Sequence, residues 1–251
     1  MILHLALLVG VIFSASTLQA KVFNISNESF AAYIRGTAGP SLDNTLAKNS
    51  SGSGATVDSE HSRNLSGEFG FLYASPIITA KFGIEIVRPF DIKDTPGISA
   101  AGVDLYTMSS EISVMIPKAG LEFNLYNWPT SRLLLSGTAG YASLVARNSY
   151  TMTAAGTAAT GVTDFNEDMR ASVPTYEGSL GYEHLLTDST TIAIEGGYRS
   201  LVFDEVSFNS DTTNFQGAVS KDDRAKNMDG TRRTLDMSNY FLGLYLRFWI
   251  Q

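Results

Sequence analysis

Beyond residue 20 no apolar run is long enough to cross a bilayer as a helix, yet eight stretches carry hydrophobicity of period two. The strand cores read as Phe30–Ala38, Leu65–Ala74, Thr79–Val87, Tyr106–Leu125, Leu133–Ala146, Val173–Leu185, Thr190–Phe203 and Leu235–Ile250. Their connections alternate. The odd ones, about Ser41–Asn64, Arg88–Leu105, Arg147–Ser172 and Asp204–Thr234, are long and polar. The even ones, Ser75–Ile78, Tyr126–Arg132 and Leu186–Ser189, are short. Long loops at one end and tight turns at the other, with an even strand number, predict an all-β fold: an eight-stranded antiparallel up-and-down transmembrane barrel. A soluble sandwich accommodates eight strands but does not call for this parity together with outward apolar faces.

The closing strand shows how the two faces divide. Leu242, Leu244, Leu246, Phe248 and Ile250 fall on one side, suited to lipid, and Phe241, Gly243, Tyr245, Arg247 and Trp249 on the other. Projecting the other strands in the same way directs Arg35, Lys81, Lys118, Arg132, Arg199 and Arg247 inward. Facing them are Glu68, Glu85, Glu111, Glu122, Glu177, Glu183 and Glu195. An eight-stranded interior is just wide enough to be filled by side chains, and an unpaired buried charge costs several kcal/mol, so these charges are expected to pair and close the lumen. In the fourth strand Ile112, Val114 and Ile116 read as outward and so do Leu121, Phe123 and Leu125, which are out of phase with the first set. Pro117 lies at the slip and predicts a β-bulge.

The N-terminal MILHLALLVGVIFSASTLQA reads as a signal peptide, with an apolar core too short for a spanning helix and cleavage expected after Ala20. That divides the chain into a 1–20 leader and a 21–251 barrel domain, placed in a bacterial outer membrane with both termini periplasmic and the long loops outside. The net charge of −7 argues against nucleic acid, which needs a basic face. Cysteine is absent, which removes thiolate metal sites, thiol nucleophiles and a lipoprotein anchor. No cofactor and no metal are expected. The run KDDRAKNMDG at 221–230 lacks the acidic spacing of a calcium loop.

Histidine limits enzymatic readings. His4 leaves with the leader, His184 is expected beside Tyr182 near the turn end, and His61 stands in the first long loop next to Ser62. A His and a Ser adjacent in sequence seldom hold a nucleophile–base geometry, so no catalytic residue is assigned and a lipid-modifying enzyme is the remote alternative. A narrow channel for small or hydrophobic solutes is the nearer one.

The segments AAYIRGTAG, RLLLSGTAGYASL, TIAIEGGYRSL and YFLGLYLRFWI resemble strands of the small eight-stranded outer-membrane barrels, the OmpA transmembrane domain, OmpX and OmpW kind. The resemblance covers about Phe30 to the C-terminus. It implies outer-membrane lipid and lipopolysaccharide as surroundings and the barrel-assembly machinery as a partner. Such barrels commonly end in an aromatic residue, whereas this chain ends Phe248-Trp249-Ile250-Gln251. The expected role is a structural and surface-interaction protein with a largely closed lumen.

Overall fold

The computed structural model describes residues 30–41, 55–57, 61, 63–226 and 231–250. The leader and Ser62 lie outside these residues. Eight long strands form the staves: β1 (Phe30–Pro40), β2 (Arg63–Ala74), β3 (Ile78–Pro89), β4 (Asp104–Asn127), β5 (Ser131–Met152), β6 (Phe165–Thr187), β7 (Thr190–Ser200) and β8 (Asn239–Trp249). Each pairs antiparallel with the next, and β8 pairs back onto β1 from Ala31↔Trp249 to Ala38↔Leu242, so the sheet closes into a ring. Closure satisfies the backbone groups that a sheet edge would leave bare, the condition for a strand-built structure in lipid.

Alternation along every stave sorts the side chains. Ile34, Phe69, Phe71, Phe82, Leu135, Leu180, Ile194, Leu242 and Leu244 are exposed on the outside, while Arg35, Glu68, Lys81, Glu85, Glu183 and Arg247 are buried inside. This inverts a water-soluble protein: the surface is apolar and the core is charged. Such a surface requires hydrocarbon as its solvent. In the closing strand Leu242, Leu244, Leu246, Phe248 and Ile250 all lie on the outer side.

Turns at one end are short. Ser75 N–H donates to the Ile78 carbonyl at 2.8 Å, and Trp128 N–H to the Ser131 carbonyl at 2.7 Å. The other end is more structured than the sequence suggests. The polar segment read as the loop Arg147–Ser172 is largely strand, because β5 continues to Met152 and β6 begins at Phe165. Its Ala/Thr/Gly tract holds a short helix, α1 (Ala154–Thr160), capped by Thr153, whose hydroxyl accepts from Gly156 N–H at 3.0 Å. Gly161 follows it at φ 71°, a conformation glycine adopts without steric cost. Ile92–Ser99 pairs with the outer part of β4, so the second long connection also contributes a strand.

The expected bulge at Pro117 is absent. Pairing of β4 with β3 runs without a shift from Ile78↔Phe123 to Val87↔Val114, passing Ile84↔Pro117. Met115↔Ser143 and Lys118↔Gly140 keep the same register on the β5 side. Ile112, Val114 and Ile116 therefore point inward and are buried, on the same face as Lys118 and Glu122. The alternation never slipped; the chemistry of the inner face changes from charged to apolar part way along the strand.

Candidate functional site

From turns to loops the interior is built in layers. Nearest the turns, Arg247 forms a fork with Glu122, its two terminal nitrogens 2.8 and 2.9 Å from the two carboxylate oxygens, and reaches Glu183 at 2.8 Å. Arg132 holds the same Glu183 at 2.7 Å and lies over the Trp249 ring at 5.3 Å. Above this, Tyr33 and Tyr245 flank the Lys81 ammonium at 5.1 and 4.7 Å from their ring centres. Tyr33 donates its hydroxyl proton to Glu68.

The middle layer is a larger network. Arg35 contacts Glu68 at 2.8 Å, Glu177 at 2.5 Å and Glu195 through its Nε at 2.6 Å. Lys118 lies between Glu68 at 2.7 Å, Glu85 at 2.9 Å and Glu177 at 3.4 Å, and Arg199 bridges Glu85 and Glu177. The six bases thus meet six acids, and together they are drawn from all eight staves. Pairing of this density is what lets so many charges share a confined interior. Between Glu85, Lys118, Thr138, Thr175, Glu177 and Arg199 there remains about 10 Å³ for a water centre, the lower limit for one molecule.

Glu111 does not belong to this network. Its place on β4 is one residue out of phase with Ser110 and Ile112, which are buried, so its side chain is exposed on the outer wall, paired in register with Arg147. The error followed from the supposed slip at Pro117.

Above the charges lies an apolar layer. Val87, Ile112, Val114, Ile116, Ala142, Leu144, Ala146 and Met169 come from the staves. Leu201, Phe203, Val206, Phe208, Ala225, Leu235 and Met237 come from the β7–β8 connection, which folds back into the mouth as a plug. The plug is held together by Leu201 N–H donating to Ser238 Oγ at 3.0 Å and Ala225 N–H to the Val206 carbonyl at 2.8 Å, and is fastened to the staves by Asn209 N–H donating to the Asp168 carbonyl at 2.7 Å and Asn64 Nδ2 to the Met237 carbonyl at 3.1 Å. Beyond it Tyr106, Tyr150, Phe165 and Phe215 pack ring against ring, beside a separate buried ion pair, Arg233 to Glu167 at 2.7 Å. Asn214 also donates to Glu167, at 2.9 Å. Sequence reasoning missed Glu167 because its segment was assigned to a loop. The alternation Phe165, Glu167, Met169, Ala171, Val173 was nevertheless there to read.

His61 is buried rather than displayed on a loop. Its Nδ1 lies 2.7 Å from the Phe90 carbonyl, and its Nε2 lies 3.0 Å from the Ser110 hydroxyl. Burial, the largest influence, pushes its pKa below the ordinary value, against the opposing effects of the Phe90 carbonyl and Asp91. Ser110 is as buried as His61, so the pair faces protein and not a substrate cleft. His184 projects from the outer wall, its ring stacked with Tyr182 at 6.4 Å. Asp222, in the polar run of the fourth connection, pairs with Arg170.

The chain matches no protein-family model and no curated protein sequence. Among solved structures it is similar to Ail, the attachment invasion locus protein of Yersinia pestis, at 11% identity and TM-score 0.45, over 88% of this chain and 99% of that one. It is similar to the outer membrane protein OprG of Pseudomonas aeruginosa at 12% identity and TM-score 0.41, over 89% and 98% of the two chains. For the outer membrane protease OmpT of Escherichia coli the values are 10% and 0.43, over 94% and 100%. Ring closure of eight antiparallel staves, an apolar outer wall and a paired-charge interior make this chain, in architecture, a small outer-membrane-type β-barrel.

Proposed function

We propose that the protein is a closed barrel of the bacterial outer membrane, a rigid anchor that presents its long connections outside and does not conduct solute. The observation that carries this reading is the double seal: a paired-charge network across the middle of the lumen, and an apolar plug from the β7–β8 connection above it. A conducting pore needs a wet path, and an apolar lumen for hydrophobic solutes needs space. Here one level is filled by ion pairs and the other by Phe203, Phe208, Leu235 and Met237. The same asymmetry supports an orientation with the elaborate end outside, since barrels of this kind carry short periplasmic turns and longer extracellular loops. The deciding measurement is single-channel recording of the refolded full chain in planar bilayers. The expected result is no steady conductance; large, stable, ion-selective openings would overturn the reading in favour of a channel.

A further inference from the structure

The outer wall carries a charged hollow where the apolar surface ends. It is lined by Arg88, Glu111, Ser113, Val145, Arg147 and Asp168 and encloses about 230 Å³. Directly below it on the same faces stand Ile86 and Met115, with Val145 at its floor, each about half exposed. Alternation places Arg88 on the same side of β3 as Phe82, Ile84 and Ile86, so it is the first polar group above a hydrocarbon-facing row. Cross-strand register lines up Glu111, Arg147 and Asp168 on three neighbouring staves.

The charges in the hollow are only partly matched. Arg147 Nε lies 2.6 Å from Asp168, which leaves the rest of its guanidinium open, and the pair is substantially exposed. The Arg88 guanidinium has no ion-pair or hydrogen-bond partner among the described residues, and neither does the Glu111 carboxylate beyond its attraction to Arg147. An unmatched cation and an unmatched anion therefore face one hollow. A lone anion would meet both attraction and repulsion there. An occupant that brings a phosphate together with its own divalent counter-ion satisfies both, since guanidinium forks suit phosphate oxygens and carboxylates suit a hard cation.

We infer that this hollow seats the phosphate of a phosphorylated saccharide lipid of the outer leaflet, with Arg88 and Arg147 on the phosphate and Glu111 facing its magnesium ion. This rests on the membrane placement proposed above. The lipid source is favoured over free phosphate by position. A phosphate tethered to acyl chains that lie against Ile86, Met115 and Val145 is delivered at high local concentration to the boundary where the hollow opens.

The test uses the refolded full chain in nonionic detergent micelles with magnesium. Folding is verified first, so that the outcome is independent of insertion and conductance. The probes are a disaccharide lipid bearing phosphate monoesters, the same lipid dephosphorylated, and inorganic phosphate. The phosphorylated lipid is expected to raise the thermal midpoint by about 5 °C over the dephosphorylated one. The R88Q/R147Q double variant should lose that increment, and chelation of magnesium should reduce it. Arg232→Gln, on an arginine paired with Glu205 away from the hollow, should keep it. An equal increment from the dephosphorylated lipid, the same increment from inorganic phosphate, or a full increment in R88Q/R147Q would each overturn the inference.

Discussion

Arg247 binds two carboxylates, Glu122 and Glu183, in a layer with no exposure to water. Replacing it with Ala leaves both acids buried without their shared partner, which costs about 3–5 kcal/mol where a single partner is removed from such a pair. Urea unfolding of Arg247→Ala from lipid bilayers is expected to show a loss of that size, whereas Arg147→Ala, on an exposed pair, should leave the urea midpoint nearly unchanged. His61 gives a second residue-scale expectation. Its pKa is lowered in the folded protein, so the unfolded chain binds the proton more readily. Stability from this group is therefore full above the unfolded value, about 6.5, and is lost as pH falls below it toward the folded value. The urea midpoint should drop between pH 7 and pH 5 by more in the wild type than in His61→Gln, which cannot take up that proton. An equal drop in both would remove His61 from the account. At this scale the sequence was legible wherever a strand's phase was certain. Arg35, Lys81, Glu122, Arg199 and Arg247 could all be projected inward. Glu111 could not be placed correctly, because the phase around Pro117 was misjudged.

At the level of the strand, β4 explains that misjudgement. Apolar residues occur on its outer face near the turns and on its inner face near the loops, since the lumen itself turns apolar where the plug enters. A reader who assumes that apolar means outward must then invent a register slip. The two readings differ in what a charge does at adjacent positions. In the observed register Val114→Arg buries a guanidinium among Ile112, Leu144 and Phe203, at a cost of several kcal/mol. Met115→Arg places one on the outer wall close to the polar boundary, where the cost is about 1 kcal/mol. Unfolding of both variants from bilayers should rank Val114→Arg far below Met115→Arg; the reverse order would restore the bulge. The plug could not have been foreseen from the fourth connection itself. Val206 and Phe208 alternate only briefly, Leu201, Phe203, Leu235 and Met237 read as ends of the seventh and eighth strands, and the burial of all six depends on partners from β3, β4, β5 and β6 that are distant in sequence.

For the whole molecule, the two seals lie in series and rest on different forces. The charge network depends on Coulomb attraction in a confined space, the plug on apolar burial. Opening either one alone leaves the other in place. Phe208→Ala should therefore loosen the fourth connection and hasten its proteolysis without producing conductance, and steady current in bilayers requires both Arg199→Ala and Phe208→Ala. Ring closure and the eight-strand count were legible from the length pattern of the connections, because turn geometry and membrane thickness act on every strand alike. The order at the loop end was not, since it depends on contacts between connections that no local pattern records.

The staves are unequal: β4, β5 and β6 have 24, 22 and 23 residues, against 11 or 12 for β1, β2, β3, β7 and β8. Three adjacent tall strands stand beside five short ones, so the cylinder is cut on a slant. Seen along the barrel axis from the loop end, the protein has a front and a back. On the tall side a stiff screen of polar sheet, with Ser109, Ser149 and Asn166 on its outer surface, stands between the barrel mouth and whatever lies alongside it in the leaflet. A molecule approaching in the plane of the membrane therefore meets a different protein depending on its compass bearing, even though the ring beneath is continuous.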